Sequence, residues 1–117
     1  MNITVTGGSG FIGSHVIDAL RNEGHSVTNI DMVDRGNADN FAQADIRDVD
    51  QITETFEKNK IEVVFNLAAV ANARQALDDP ITAVDMNIKG AVVVLEAARR
   101  ANVKRVVMAS TVWYFNA

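Results

Sequence analysis

The chain has 117 residues, of which 48% are hydrophobic and 22% charged, with a formal net charge of -4, one proline and no cysteine. This length accommodates one domain of ~100–200 residues and excludes a two-domain enzyme, while the composition excludes disordered, collagen-like and low-complexity classes. The acidic balance argues against a nucleic-acid partner, and without cysteine there is no disulfide framework, thiolate nucleophile or zinc–cysteine site.

Membrane and export signals are not recognised in the sequence. No run reaches the roughly 18 apolar residues of a membrane helix, and the N-terminus has no cationic region ahead of an apolar one. Two histidines cannot fill a metal coordination sphere by themselves. We therefore expect a soluble, cytoplasmic protein with no membrane partner and no metal site.

The first predicted unit is a strand, a glycine turn and a helix. Residues 3–5 form a short run of β-branched residues, which is typical of a buried strand. Apolar residues then recur at helical spacing from Phe11 to Leu20, and Gly24 follows where a C-terminal glycine cap would end that helix. Four glycines separate the two elements: Gly7, Gly8, Gly10 and Gly13.

The alternation of strands and helices continues along the chain. Asp48, with Gln51 three residues later, indicates a capping box that starts a second helix. Pro80 is suited to the first turn of a long helix over residues 81–102. Further strands are predicted at residues 26–30, 61–67 and 106–109.

This alternation predicts an α/β fold with three layers, in which right-handed βαβ crossovers build a parallel sheet covered on both faces. The usual doubly wound, or Rossmann, order would arrange the four strands as 3-2-1-4, part of the complete fold. We find no linker, so residues 1–117 form one domain. The long helix is apolar on more than one side, which predicts that a following helix or a second subunit covers it.

The glycine turn satisfies the dinucleotide fingerprint Gly8-x-Gly10-x-x-Gly13 in the expected context between a strand and a helix, with Asp31 at the end of the second strand. Such glycines let backbone N–H groups approach a pyrophosphate at the positive end of the helix. Asp31 can accept hydrogen bonds from both ribose hydroxyls and would repel a 2′-phosphate, which favours NAD, although nearby Arg35 leaves NADP open. The alternative is a tight turn without a ligand.

Five segments in order carry a family resemblance: TGGSGFIG from Thr6, DIRD from Asp45, NLAA from Asn66, NIKG from Asn87 and AST from Ala109. Together they resemble the extended short-chain dehydrogenase/reductase family, the nucleotide-sugar epimerases and dehydratases, over essentially all 117 residues. Residues 30–37 are most similar to UDP-glucose 4-epimerase-like enzymes.

The resemblance implies NAD as cofactor, a nucleotide-sugar substrate and transient hydride transfer. It implies that Asp45 and Ile46 border the adenine ring, that Asn87 is the structural asparagine of the family, and that Thr111 hydrogen-bonds the substrate hydroxyl. The implied cofactor contacts are Gly7, Gly10, Phe11, Ile12, Gly13, Asp31, Asp45, Ile46, Leu67, Ala68, Ala69, Asn87 and Ser110.

The catalytic tyrosine of that family, with a lysine four residues later, is not found here. Tyr114 is the only tyrosine, and we do not expect it to be the acid/base. Residues 1–117 are therefore expected to be the N-terminal, NAD-binding part of a longer enzyme, inactive alone and without the substrate domain. A non-enzymatic NAD-binding or sensing module is the main alternative, and an inert chain without cofactor binding is another.

The remaining polar candidates have weaker support. His15 and His25 are expected to be surface or packing residues, and Arg74 approaches cofactor phosphate or is a solvated helix residue. The acidic pairs at residues 48–50 and 78–79 are typical of helix starts.

Overall fold

The computed structural model describes residues 1–112 as one parallel sheet with helices on both faces. The strands are β1 Asn2–Thr6, β2 Ser26–Asp31, β3 Asn40–Gln43, β4 Val63–Asn66 and β5 Arg105–Met108. The helices are α1 Phe11–Asn22, α2 Val49–Lys58, α3 Ala73–Asp78, α4 Pro80–Val84 and α5 Gly90–Arg100, with a π-helical segment at Asp85–Lys89 between α4 and α5. The hydrogen-bonded order is β3-β2-β1-β4-β5 and all four pairings are parallel.

This order confirms the predicted doubly wound α/β fold and extends it by one strand. The sequence pattern did not predict β3, whose two end residues are exposed and whose middle two are half-buried. Residues 61–67, predicted as the third strand and therefore as the neighbour of β2, contain β4, which pairs with β1 instead. The place beside β2 belongs to β3, in register with β2 from Thr28↔Asn40 to Asp31↔Gln43.

Local sequence signals set several helix ends as expected. Gly24 follows α1 at φ +83°, and its N–H donates to the carbonyl of Arg21. Asp48 caps α2, since its Oδ1 accepts from the N–H groups of Asp50 and Gln51 at 3.1 Å. The other half of the predicted capping box is not formed, because the Asp48 N–H donates to the Asp45 carbonyl at 3.0 Å. Pro80 occupies the first turn of α4. The predicted long helix is present over residues 80–100 but includes the π-helical segment, and α3 precedes it.

Each face of the sheet has its own apolar cluster. On one face, Val5 and Val27 pack against Ile17 of α1. On the other, Ile30 and Val64 pack against α2 and α5. Because the strands are parallel, the carboxyl ends of β1, β2 and β4 meet at one edge of the sheet, where doubly wound folds bind ligands.

Candidate functional site

A cavity of about 120 Å³ opens at this carboxyl edge. Its lining residues are Gly7, Ile30, Asp31, Met32, Ala44, Asp45, Ile46, Arg47, Ala68 and Met86. The structure thus brings together five of the predicted site residues: Asp31 at the end of β2, and four residues in the loops after β1, β3 and β4. The cavity is smaller than the ~300–1,000 Å³ of complete ligand sites, so it suits one end of an extended ligand.

Two glycines of the turn are required by the fold itself. Gly7 has φ +71°, and a Cβ there would lie 2.8 Å from the backbone nitrogen of Ala68. A Cβ on Gly13 would lie 2.2 Å from the carbonyl oxygen of Gly7. At Gly10, by contrast, φ is -79° and ψ is 174°, and a Cβ would meet only the Gly7 oxygen, at 3.3 Å. This contact is tight but needs a shift of only a few tenths of an ångström, so the folded backbone restricts position 10 much less than positions 7 and 13.

The N-terminus of α1 offers backbone donors beside this turn. The first intrahelical bond runs from the N–H of Ser14 to the carbonyl of Gly10 at 3.0 Å, so the N–H groups of Phe11, Ile12 and Gly13 precede the helical ladder. Gly10 supplies no side-chain cap, and the first turn has no acidic residue. These donors and the positive end of the helix dipole form an environment that favours a phosphate.

The Asp31 carboxylate is oriented by two backbone donors. Its Oδ2 accepts from the N–H of Ser9 at 3.0 Å, and its Oδ1 accepts from the N–H of Met32 at 2.7 Å. An ionised carboxylate has about four acceptor sites. The half-buried Asp31 can therefore accept further hydrogen bonds on both oxygens, as a pair of neighbouring hydroxyls requires.

Across the cavity, Arg47 bridges two carboxylates. Its Nε and Nη2 donate to Asp45 at 3.0 and 2.6 Å, and its Nη1 donates to Asp85 in the π-helical segment at 3.0 Å. These hydrogen bonds from the guanidinium are the main reason that the pKa of Asp45 is lowered. Asp45 is therefore an ionised acceptor at neutral pH. Arg47 belongs to the DIRD segment but was not among the predicted site residues.

Two other predicted residues, Asn87 and Ile46, stabilise the segments around the cavity. Asn87, in the π-helical segment, pairs with both backbone groups of Val70: its Oδ1 accepts from the N–H at 2.8 Å and its Nδ2 donates to the carbonyl at 3.1 Å. This fastens the loop after β4 to the helix. Ile46 is 4% exposed and packs against Gly90, where a Cβ would lie 2.6 Å from Ile46 Cδ1.

Within residues 1–112, the remaining predicted residues lie around the cavity but do not line it. Leu67 packs with the α1-side apolar cluster. Ser110 and Thr111 are exposed and follow β5, beside the end of β4, where the Ala109 N–H donates to the Asn66 carbonyl at 3.2 Å. The other exposed residues of the predicted set are Gly10, Phe11, Ile12 and Ala69, and Tyr114 lies outside the described residues.

Sequence reasoning missed Ser9 and Asn29. The Ser9 hydroxyl contacts Asn29 and the loop after β2. Asn29 is fully buried, and its Oδ1 has no hydrogen-bond partner within residues 1–112, an arrangement that costs about 1–3 kcal/mol. The available signal was an asparagine between the β-branched residues Thr28 and Ile30 inside β2.

The weaker candidates do not join this site. His15 meets the Phe11 ring edge-on at 5.0 Å, and His25 Nδ1 lies 3.2 Å from the N-terminal nitrogen. Arg74 is an exposed residue of α3, while Asp48 and Asp79 are helix caps. Over residues 1–112, no group of three or more His, Cys, Asp or Glu could hold a metal ion, and no helix there is long and apolar enough to cross a bilayer.

The chain is similar to known proteins over almost its whole length. A model of the NAD dependent epimerase/dehydratase family matches residues 3–116. A UDP-glucose 4-epimerase of Mycolicibacterium smegmatis is 38% identical over 122 residues, which cover 95% of this chain and 39% of that protein.

Solved structures give the same result. The UDP-glucose 4-epimerase of Stenotrophomonas maltophila, solved with NAD and formylated UDP-arabinopyranose, superposes with a TM-score of 0.90 at 31% identity, over 97% of this chain and 38% of that one. The Thermus thermophilus UDP-glucose 4-epimerase, solved with NAD, has a TM-score of 0.86 at 32% identity, over 95% and 38% of the two chains. The present chain thus spans less than two fifths of each of these solved chains.

Proposed function

Because the chain belongs to the NAD-dependent epimerase/dehydratase family, we propose that it binds NAD at the carboxyl edge of its sheet and serves the conversion of a nucleotide sugar in the whole protein. NAD supplies reversible hydride transfer in such chemistry. The observation that carries the proposal is the Asp31 carboxylate, which two backbone N–H groups orient beside a cavity and a helix N-terminus without a side-chain cap.

The residues present suit the parts of a dinucleotide. The N–H groups at the start of α1 would hold the pyrophosphate, and Asp31 would accept from the adenosine ribose hydroxyls. The cavity between Asp31 and Asp45 would take the adenine ring, with Asp45 and Ile46 at its border. Leu67, Ala68 and Ala69 would back the cofactor, and Ser110 would contact it.

NAD is preferred over NADP for an electrostatic reason. A phosphate on the ribose 2′-oxygen would lie close to the Asp31 carboxylate, and two negative charges close together repel each other. Arg35 is the nearby cation that could offset this repulsion. The balance between Asp31 and Arg35 therefore sets the cofactor preference.

The nucleotide-sugar substrate is supported by the ligand of the Stenotrophomonas structure. Thr111, three residues after the end of β5, is the proposed partner of the substrate hydroxyl. The 117 residues contain no Tyr-x-x-x-Lys pair, so we propose that this chain alone binds NAD without turnover. The second candidate is a non-enzymatic NAD-binding module, which would use the same Asp31 and glycine-turn site without hydride transfer. The predicted cytoplasmic location stays a prediction.

Calorimetric titration with NAD and NADP tests the binding. Wild type should bind NAD more tightly than NADP, and Asp31→Ala should weaken NAD binding by roughly 10–100-fold, the loss of hydrogen bonds to a charged group, while raising the affinity for NADP relative to NAD. Asp34→Ala, an exposed carboxylate in the same loop, is the control for charge alone. Indifference of the wild type to both cofactors would contradict the proposal, and measurable sugar epimerisation would contradict the inactivity.

We also propose that two copies associate through the long helix. An exposed apolar stripe runs along α4, the π-helical segment and α5: Ile81, Val84, Ile88, Val92 and Leu95 are 47–82% exposed. A depression of about 500 Å³ lies on the same face, bordered by Asp85 and Lys89. Such stripes usually mark an interface, and antiparallel pairing of two copies would bring the opposite charges of the border together.

A further inference from the structure

The Ser9 hydroxyl joins the glycine turn to the chain that follows β2. Its Oγ donates to the Val33 carbonyl at 2.5 Å, and accepts from Asn29 Nδ2 at 2.9 Å and from the Arg35 N–H at 3.0 Å. A hydroxyl has one hydrogen to donate and two lone pairs to accept with. All the hydrogen-bonding capacity of Ser9 Oγ is therefore used, and two of its three partners lie in the loop after Asp31.

These contacts also decide which way the Asn29 amide points. A carbonyl can only accept, so the single hydroxyl hydrogen of Ser9 goes to Val33, and Asn29 must present its NH₂ group to Ser9. Its Oδ1 is then directed away from Ser9, toward Gly8, where a Cβ would lie 2.3 Å from that oxygen. Asn29 is 0% exposed, and this oxygen has no hydrogen-bond partner in the described part of the chain.

Asn29 destabilises the fold through its buried, unpaired oxygen, but it also makes a hydrogen bond to Ser9 in the glycine turn. β-Strand alternation places Asn29 on the face of β2 that carries Val27, which packs against Ile17 of α1. An apolar side chain of similar size would suit this position better, because a buried acceptor without a donor costs free energy of folding. What the asparagine provides is its hydrogen bond to Ser9.

We propose that Asn29 and Ser9 are positioning residues for the ribose-binding carboxylate. Asn29 orients the Ser9 hydroxyl, and the hydroxyl holds Val33 and Arg35 against the glycine turn. The same serine donates its backbone N–H to Asp31. The turn, Asp31 and the loop thus form one rigid unit before the ligand arrives, which lowers the ordering cost of binding. This inference rests on the proposed NAD binding.

The test uses Asn29→Leu, which removes the hydrogen bond and the unpaired oxygen together. Its melting temperature should equal or exceed that of the wild type, while its dissociation constants for NAD and for AMP, which carries the same ribose, should rise about tenfold. A merely structural residue would not separate these two quantities. Thr28→Val, a polar-to-apolar change at a buried neighbour in the same strand, is the matched control and should leave both affinities unchanged.

Amide hydrogen exchange gives a readout that needs no ligand. In Asn29→Leu and in Ser9→Ala, the Arg35 N–H should exchange roughly tenfold faster, while the Val27 N–H, bound to Asp39 at 2.8 Å, should keep its rate. An unchanged Arg35 rate would overturn the proposal, as would NAD affinity that stays within twofold or that falls equally in Thr28→Val. If the wild type fails to bind NAD, the proposed function is wrong, and the Arg35 rates alone then support or overturn the positioning role.

Discussion

Replacing Gly10 with alanine should separate NAD binding from folding. The backbone at Gly10, with φ -79° and ψ 174°, is one that any L-residue adopts, and the added Cβ would meet a single atom within 4 Å. Alanine is a poorer N-cap than glycine, which destabilises the fold by roughly 0.5–1 kcal/mol. Alanine also reduces the conformational entropy of the unfolded chain, which stabilises the fold by a similar amount. The free energy of unfolding should therefore change by less than about 1 kcal/mol.

The added methyl group would lie at the N-terminus of α1, where the pyrophosphate is proposed to bind, with only the Gly7 oxygen within 4 Å of it. It would keep a phosphate oxygen from the N–H groups at the start of α1. A hydrogen bond between a backbone N–H and a charged group contributes about 1.5–3 kcal/mol. Loss of one such bond corresponds to NAD binding that is roughly 10–100-fold weaker.

Two other glycines serve as matched controls. In Gly13→Ala the Cβ would lie 2.2 Å from the Gly7 oxygen and 2.7 Å from Gly8 Cα, so backbone segments must separate by about 1 Å in a close-packed region. We expect a destabilisation of at least ~1–3 kcal/mol, with folding and binding impaired together. Gly24→Ala has open space but φ +83°, so it should cost ~1–2 kcal/mol and leave the NAD affinity of the folded chain unchanged.

Urea denaturation and calorimetric titration of the three variants measure these effects. The expected pattern is binding lost alone for Gly10, both properties impaired for Gly13, and stability reduced alone for Gly24. Wild-type NAD affinity in Gly10→Ala would refute the assignment of the phosphate to the α1 N-terminus. Unfolding of Gly10→Ala would refute the reasoning about the backbone.

Three further outcomes follow from the contacts. Asn87→Ala should lower the free energy of unfolding by about 1–2 kcal/mol in urea, because Val70 loses both partners; equal stability would contradict this. Ile88→Glu should abolish association in sedimentation whereas Gln51→Glu, exposed on α2, should not; dimers in both would exclude the stripe. Hydrogen bonds from Arg99 and Arg100 lower the pKa of Glu96 from 4.5 to about 2. A depressed carboxyl pKa stabilises the fold above the unfolded value and loses that contribution as pH falls through the folded one. The melting temperature should therefore fall between about pH 5 and pH 2, and less steeply in Glu96→Gln; a rise on acidification would contradict this.

Much of the fold was determined by short-range features of the sequence. The cap at Asp48, the glycine after α1 and Pro80 at the start of α4 act on backbone groups within a few residues, so their effects can be derived from spacing alone. The glycine turn and Asp31 were predicted for the same reason. The sheet follows, since strands alternating with helices of this length have few ways to pack.

Only the tertiary structure decided the features that depend on distant partners. β3 has no marked apolar alternation and is a strand because β2 pairs with it. The Arg47 guanidinium donates a hydrogen bond to Asp85, thirty-eight residues later in the chain. Asn87 accepts one from Val70, and a loop and two helices separate the two residues in sequence. Ser9 and Asn29 belong to different strand–turn units and meet only when β1 and β2 lie side by side. Hydrogen bonds of this kind depend on where the chain returns in space, which the packing of the two apolar clusters determines and no local pattern records.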